Sequence, residues 1–481
     1  MISHRSPTLS ALLGAALLAA LCGCVDRSGW KAAPELAPAQ LTASRTLTGT
    51  PVDAASWPVD GWWRGYGDPQ LDTLVAEAIA GSPSLVVAEA RLRAAQGQAL
   101  AVGALKLPNV ALDAEATRQR YPENGLYPPP YAGNYYNDGR LAFDLSYDID
   151  FWGRNRALLA SARSGVDAAE ADRAAARLAL AVAVVRAYVQ LDLWYALLDV
   201  ANDQLKQQTS IMELTQQRVE AGLENVARVK QSESNLALAR AGIAAAQASI
   251  DLARNQLAAL AGAGPDRGQS LARPRLTAPS SIALPAALPA DLLGRRPDVA
   301  AARAQVQGAA QGVKAAEADF YPNVNLAAFA GIQSIGLDKL FEGSATIVGV
   351  TPALSLPLFN RRQLRGALEA RQAQFDASVG QYNQTVLDAV HDVADVVTNW
   401  RALERESVEQ QAAVEAAQRA YDLTTERYRA GLDNYLTVLS TENQLLLTHA
   451  VGAELAAQRL TFSVNLVRAL GGGYTPPAPA G

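Results

Sequence analysis

From Arg140 to Phe151 the chain alternates. Leu141, Phe143, Leu145, Tyr147, Ile149 and Phe151 are apolar or aromatic, with Ala142, Asp144, Ser146, Asp148 and Asp150 between them. A period of two predicts a strand with one apolar face. At Asn155 the period becomes helical and holds to Glu220. Similar helical text covers Ser84–Leu105, Glu224–Gly262, Asp298–Asp319, Arg361–Arg429 and Asp433–Leu470. Further strands are expected at about 108–119, 322–333 and 345–359. An earlier helix opens at Asp68-Pro69, with Asp as the N-cap and Pro at the first helical position.

The pattern runs twice. Arg218-Val219-Glu220-Ala221-Gly222-Leu223-Glu224-Asn225 is answered by Arg427-Tyr428-Arg429-Ala430-Gly431-Leu432-Asp433-Asn434, 209 positions later. Pro108-Asn109-Val110 is answered by Pro322-Asn323-Val324. Each tip glycine falls where one long helix must stop and another start back, and glycine takes the left-handed conformation of a helix end at little cost. The expected divisions are a leader at 1–23, a tether and first helix at 24–83, a first repeat at 84–262, a linker at 263–297, a second repeat at 298–472 and a tail at 473–481. The two longest helices should each run roughly 100 Å at 1.5 Å per residue. In each half the two shorter helices, laid end to end, nearly match that. Each half therefore reads as one long helix against two stacked shorter ones, packed as in a coiled coil, with a hairpin at one end and the glycine tip at the other.

Strands of this length and alternation fit a transmembrane barrel. Four cannot close one, and an open edge in lipid leaves backbone groups unpaired. A trimer would supply twelve. The fold class expected is α+β, a trimeric 12-stranded β-barrel continued by a helical coiled-coil barrel, with an internal two-fold repeat. Alternation alone also fits a half-buried soluble sheet, and the helices alone fit a rod without a pore. If the apolar positions face lipid, Asp144, Asp148 and Asp150, with Asp113 and Glu115 of the partner strand, face the lumen. Rings of carboxylates there favour cations, unless water and counterions screen them.

Composition narrows the chemistry. Hydrophobic residues make up 49% and aromatics only 6%, as suits long alanine-rich helices. The net charge of −5, without Lys/Arg blocks, makes nucleic acid a poor partner. The two cysteines, Cys22 and Cys24, leave no disulfide framework and no cysteine metal cluster in the body of the chain. No serine elbow, zincin motif or phosphate-cradling loop occurs, so no enzyme, metal or cofactor is expected. His391 and His449 stand alone in helical text and read as structural. The run Ala11–Leu21 has the length of a secretory core, and no later run reaches the ~20 apolar residues of a spanning helix.

Leu21-Cys22-Gly23-Cys24 resembles the lipobox of bacterial lipoproteins, which implies cleavage before Cys24 and its acylation; a cysteine at the second position departs from that pattern. Nearly the whole chain resembles the TolC-like outer-membrane factors, in particular their efflux lipoproteins. The resemblance rests on Trp62-Trp63 to Asp68-Pro69, Tyr147-Asp148-Ile149-Asp150-Phe151-Trp152-Gly153, Leu293-Gly294-Arg295-Arg296-Pro297-Asp298-Val299 and the two glycine tips. It implies a homotrimer in the outer membrane, joined through a periplasmic adaptor to an inner-membrane transporter. It implies that Arg218, Gly222, Leu223, Arg427, Gly431 and Leu432 meet the adaptor. Tyr428 matches a gate tyrosine. Arg228, Thr437 and Ser440 stand where the family has aspartates, and Asp433 where some members have arginine. The gate expected here therefore uses Arg228 with Asp433 or Glu224 between protomers.

Three functions compete. One is an efflux conduit for drugs, dyes or metals. Another is the exit duct of a type I protein secretion system. A third is a lipid-anchored scaffold without a pore, which the four alternating strands oppose.

Overall fold

Asp68 fixes the first long helix in the computed structural model. Its Oδ1 accepts from the Gln70 amide at 2.9 Å, capping α1 (Pro69–Gly81) with Pro69 in the first turn. Its Oδ2 accepts from the Tyr188 hydroxyl at 2.7 Å and the Arg275 amide at 2.8 Å. One carboxylate thus caps a helix and ties down two distant stretches. The structure describes residues 30–36, 41, 43–49, 51, 57–279, 281–285, 292–357 and 359–476. The leader, Cys24 and the end of the tail lie outside them.

After α1 come α2 (Pro83–Ala104), β1 (Asn109–Arg120), β2 (Tyr135–Ile149), α3 (Arg154–Glu220) and α4 (Val226–Leu260). The second half gives α5 (Pro297–Ala318), β3 (Asn323–Ile335), β4 (Thr346–Ser355), α6 (Arg361–Arg429) and α7 (Tyr435–Ala469). The element order of the sequence reading stands. β2 starts earlier than the alternation suggested, in the tyrosine-rich text before Gly139. β4 ends before Pro357, which cannot donate to a ladder.

The chain divides into two compact units. One takes in Arg91–Ala169 and Ala302–Tyr382; the other takes in Leu36–Ala90, Glu170–Ala301 and Asn383–Gly481. Each draws on both repeats, so compactness cuts across the sequence duplication.

The first unit holds one antiparallel sheet in the order β1-β2-β3-β4. Strands of the two repeats meet at β2 and β3, where Phe143 faces Ala330 and Asp144 faces Phe329. The second unit holds the largest core. Leu71, Leu74 and Val75 of α1 pack on Val184, Val185, Tyr188 and Leu191 of α3, with Ile250 and Leu257 of α4 and Leu460 and Val464 of α7.

The Arg295-Arg296-Pro297-Asp298-Val299 motif is explained within this unit. Arg296 is buried. Its Nε and Nη2 donate to the two Asp298 oxygens at 3.1 and 2.7 Å; its Nη1 donates to Asp392 of α6 at 3.0 Å and to the Ala469 carbonyl of α7 at 3.2 Å. Burial pushes the Asp298 carboxyl up, but the Arg296 guanidinium overcomes this and holds it below its ordinary value.

By length and composition, α3 and α4 each carry a stretch apolar enough to cross a membrane, against the expectation of none. Half of the stretch in α3 is buried within the chain, so much of its apolar surface is core. The stretch in α4 is rich in alanine, which raises hydropathy without adding large side chains.

Candidate functional site: the two tips and the polar sheet face

The tips share one backbone design. At the end of α3 the Gly222 N–H donates to the Val219 carbonyl at 3.0 Å, and the Leu223 N–H to the Arg218 carbonyl at 2.8 Å. At the end of α6 the Gly431 N–H donates to Tyr428 at 3.0 Å, and the Leu432 N–H to Arg427 at 2.9 Å. This paired closure satisfies carbonyls that a helix end leaves open, and it requires a left-handed residue. Gly222 has φ +71° and Gly431 φ +74°. No atom lies within 4 Å of where a Cβ would stand on either, so conformation, not space, demands glycine.

Each returning helix is then capped by an asparagine. Asn225 accepts from the Arg228 amide at 3.3 Å, and Asn434 from the Thr437 amide at 3.0 Å. The sequence reading missed both. The signal was present: each tip glycine is followed three residues on by Asn, a favoured N-cap. The helices therefore start at Val226 and Tyr435 rather than at the acids before the caps.

The side chains diverge. Arg218 lies 4.6 Å from the Tyr428 ring centroid and donates from Nη1 to the Tyr428 carbonyl at 3.0 Å, tying the first tip to the second. Arg427, its counterpart, turns back to its own tip and pairs with Asp433 at 3.2 Å. Asp433 also accepts from the Asn434 amide at 2.9 Å. That N–H, then Thr437 and Arg427, hold its carboxyl below its ordinary value. Arg228 sits 3.9 Å from Glu224 and 5.9 Å from the Tyr435 ring centroid. Within the chain Arg228 thus meets Glu224, whereas Asp433 is taken by Arg427.

Tyr428 is fully buried, in a cluster with Ile211, Tyr435 and Val438, and its hydroxyl has no hydrogen-bond partner among the described residues. Its place is in the packing beneath the tip rather than on an open surface. Ser440 is exposed, and Thr437 serves the Asn434 cap. Leu223 and Leu432 are exposed on the two tips.

On the sheet, register sorts the acids. Ala111 pairs with Asp144 and Glu115 with Arg140, so Asp113, Glu115, Asp144 and Asp148 share one face. Arg140 joins them, an addition legible from its parity but left out of the sequence reading. It donates to Asp144 at 2.7 Å. Asp148 accepts from Asn325 at 2.7 Å and Asn323 at 3.3 Å. Asp150 departs from the lumen expectation. The strand ends at Ile149, and its two oxygens accept the amides of Asn155 at 3.0 Å and Arg156 at 2.9 Å at the start of α3. It stabilises the positive end of that helix instead.

The opposite face is apolar and bare. Phe143, Val348 and Val350 are 58%, 77% and 67% exposed, and Val110, Leu112 and Leu354 lie open beside them. Among the described residues both outer strands, β1 and β4, also lack a partner on one side. Among the described residues no group of three or more metal-ligating side chains converges.

A family profile described as outer membrane efflux protein matches residues 74–263 and 288–472, one match to each repeat. The fusaric acid resistance protein FusA of Burkholderia cepacia is 39% identical over 383 residues, covering 77% of this chain and 71% of that protein. The multidrug resistance outer membrane protein MdtP of Escherichia coli K12 is 31% identical over 477 residues, covering 97% and 96%. Among solved structures, the outer membrane protein VceC of Vibrio cholerae superposes with a TM-score of 0.82 at 39% identity, over 87% of this chain and 100% of that one. The outer-membrane channel OprN superposes with a TM-score of 0.83 at 28% identity, over 93% and 98%. The profile covers both repeats and most of the chain, and the chain belongs to the outer membrane efflux protein family.

Proposed function

We propose that three copies of this chain close a 12-stranded barrel in the outer membrane and form a passive conduit for small molecules. The observation that carries this is the sheet. Its apolar face is uncovered, its polar face is hydrogen-bonded and charged, and both edges are unpaired among the described residues. Such an edge is excluded from lipid unless another copy completes it. In the closed barrel Asp113, Glu115, Asp144 and Asp148 line the lumen, tempered by Arg140. Acylated Cys24 adds a second hold on the membrane.

At the tips the exposed Leu223 and Leu432, framed by Gly222, Gly431, Arg218 and Arg427, meet a periplasmic adaptor. That adaptor links the channel to an inner-membrane transporter, which supplies the energy and the selectivity. The gate is the packing beneath the tips, around Tyr428, with Arg228, Glu224 and Asp433 as its charged fringe between protomers. The names of the relatives, fusaric acid resistance and multidrug resistance, favour small organic molecules as cargo.

The test is dye accumulation and secreted-protein profile in cells lacking this chain, beside the gel migration of unheated and heated protein. Increased dye, unchanged secretion and a heat-sensitive trimer band are expected. Loss of a secreted protein at constant dye would assign the duct to protein export instead. Migration as a monomer without heating would sink the barrel.

A further inference from the structure

Glu442 of α7 is 0% exposed. Its Oε2 accepts from Nε2 of Gln208 on α3 at 2.6 Å, and the bond is buried. The other oxygen of each group, Oε1 of Glu442 and Oε1 of Gln208, is also buried and has no partner. Two buried acceptors without partners in one hydrogen-bonded pair are costly. A single proton removes both deficits. A proton on Oε1 turns Glu442 into a donor, with Gln208 Oε1 the unfilled acceptor of the same pair, while Gln208 Nε2 keeps donating to Glu442 Oε2. Without it, one carboxylate oxygen is charged, buried and unpartnered.

Among the described residues, the groups found to interact with Glu442 include no cation. Gln208 of α3, Tyr421 of α6 and Tyr435 of α7 are the groups that interact with Glu442. Of the charges near Tyr421, Arg429 and Asp422 act on the phenol itself. The repeat supplies a control. Glu233, 209 positions before Glu442, carries the same side chain on α4, but it stands at the surface and pairs with Lys230 at 2.9 Å. In the second copy the acid lies inside, and Leu439 stands where Lys230 stands in the first.

We infer that the Gln208–Glu442 pair is a proton-binding site that latches α3 to α7 beneath the tips, and that loss of its proton releases the latch. This rests on the proposal that the tips gate the conduit. Burial pushes the Glu442 carboxyl up to about 7, and the Gln208 hydrogen bond only partly offsets this. The sign follows. The latched state binds a proton that an opened, hydrated Glu442 releases at its ordinary value. Rising pH therefore favours the open tip, by up to about tenfold per pH unit between those two values, and the effect saturates above the higher one.

Two measurements on the full-length assembly test it. The first is infrared difference spectroscopy of the wild type against Glu442→Gln. A protonated carboxylic-acid carbonyl band at about pH 5.5 that is lost by about pH 8 and is missing from the variant is expected. Its absence at the lower pH would overturn the site. The second is open probability in planar bilayers over the same range. The wild type should open at least tenfold more often as pH rises, while Glu442→Gln, locked in the neutral amide form, stays at its low-pH level. Identical pH profiles in the two proteins would overturn the latch. Silence of both proteins at every pH, with the band present, would count against the conduit and leave the proton site standing.

Discussion

The two tips are built on one backbone and carry two chemistries. Gly222 and Gly431 close their helices with the same pair of hydrogen bonds, and Asn225 and Asn434 open the next ones with the same cap. Their arginines part company. Arg218 reaches across to the second tip, while Arg427 stays home with Asp433. Beneath them Val219 is half-buried where Tyr428 is fully buried. Duplication has preserved what a helix reversal needs geometrically and released everything else. The first tip leans on the second, and the second holds the core.

The sharpest way to break that comparison is to truncate the core residue at each tip. Tyr428→Ala should cost about 3–5 kcal/mol of local stability, as for other buried aromatics, and Val219→Ala about 1 kcal/mol. Hydrogen exchange at the ends of α3 and α6 reads both, and equal losses would show that the tips share the load. Next come the glycines. Gly222→Ala and Gly431→Ala should each cost about 1–2 kcal/mol and match one another, because only φ is at stake. A marked difference would mean that space, not conformation, governs one of them. The caps are weaker. Asn225→Ala and Asn434→Ala should each cost about 1 kcal/mol, seen as fraying of the first turns of α4 and α7.

The smallest effect is electrostatic and one-sided. Asp433 is held below its ordinary value by the Asn434 amide, Thr437 and Arg427, so its contribution is present at neutral pH and is lost as pH falls through that lowered value. Acid should loosen the second tip through this group, read as pepsin nicking between α6 and α7. Asp433→Asn should nick equally at all acid pH values.

These differences explain what the sequence disclosed. Periodicity and the doubled Gly-Leu-acid-Asn signature located every long helix, all four strands and both turns, because those depend on local geometry. The face of the sheet was legible through parity, which placed Asp113, Glu115, Asp144 and Asp148 together. Asp150 escaped because alternation says nothing about where a strand ends and a helix begins to draw on its acids. Glu442 escaped for a deeper reason. In the text it is indistinguishable from Glu233, each being an acid near the start of a returning helix, eight residues after the cap asparagine. Only the packing of α3 against α7, which no local pattern encodes, makes one a solvated partner of Lys230 and the other a buried group. The coupling of Arg218 to Tyr428 was hidden in the same way, since 210 residues separate the partners.

The unpaired outer strands carry a consequence for inheritance. If other copies complete the outer edges of β1 and β4, as proposed, a copy with a damaged edge spoils the copies beside it as well as itself. Expressed in equal amount with the normal chain, such a variant would leave only about one assembly in eight free of it, if three copies close each ring. Mutations at the edges of the sheet should therefore behave as dominant, while mutations that merely prevent the chain from folding should be recessive, since an unfolded copy never reaches its neighbours.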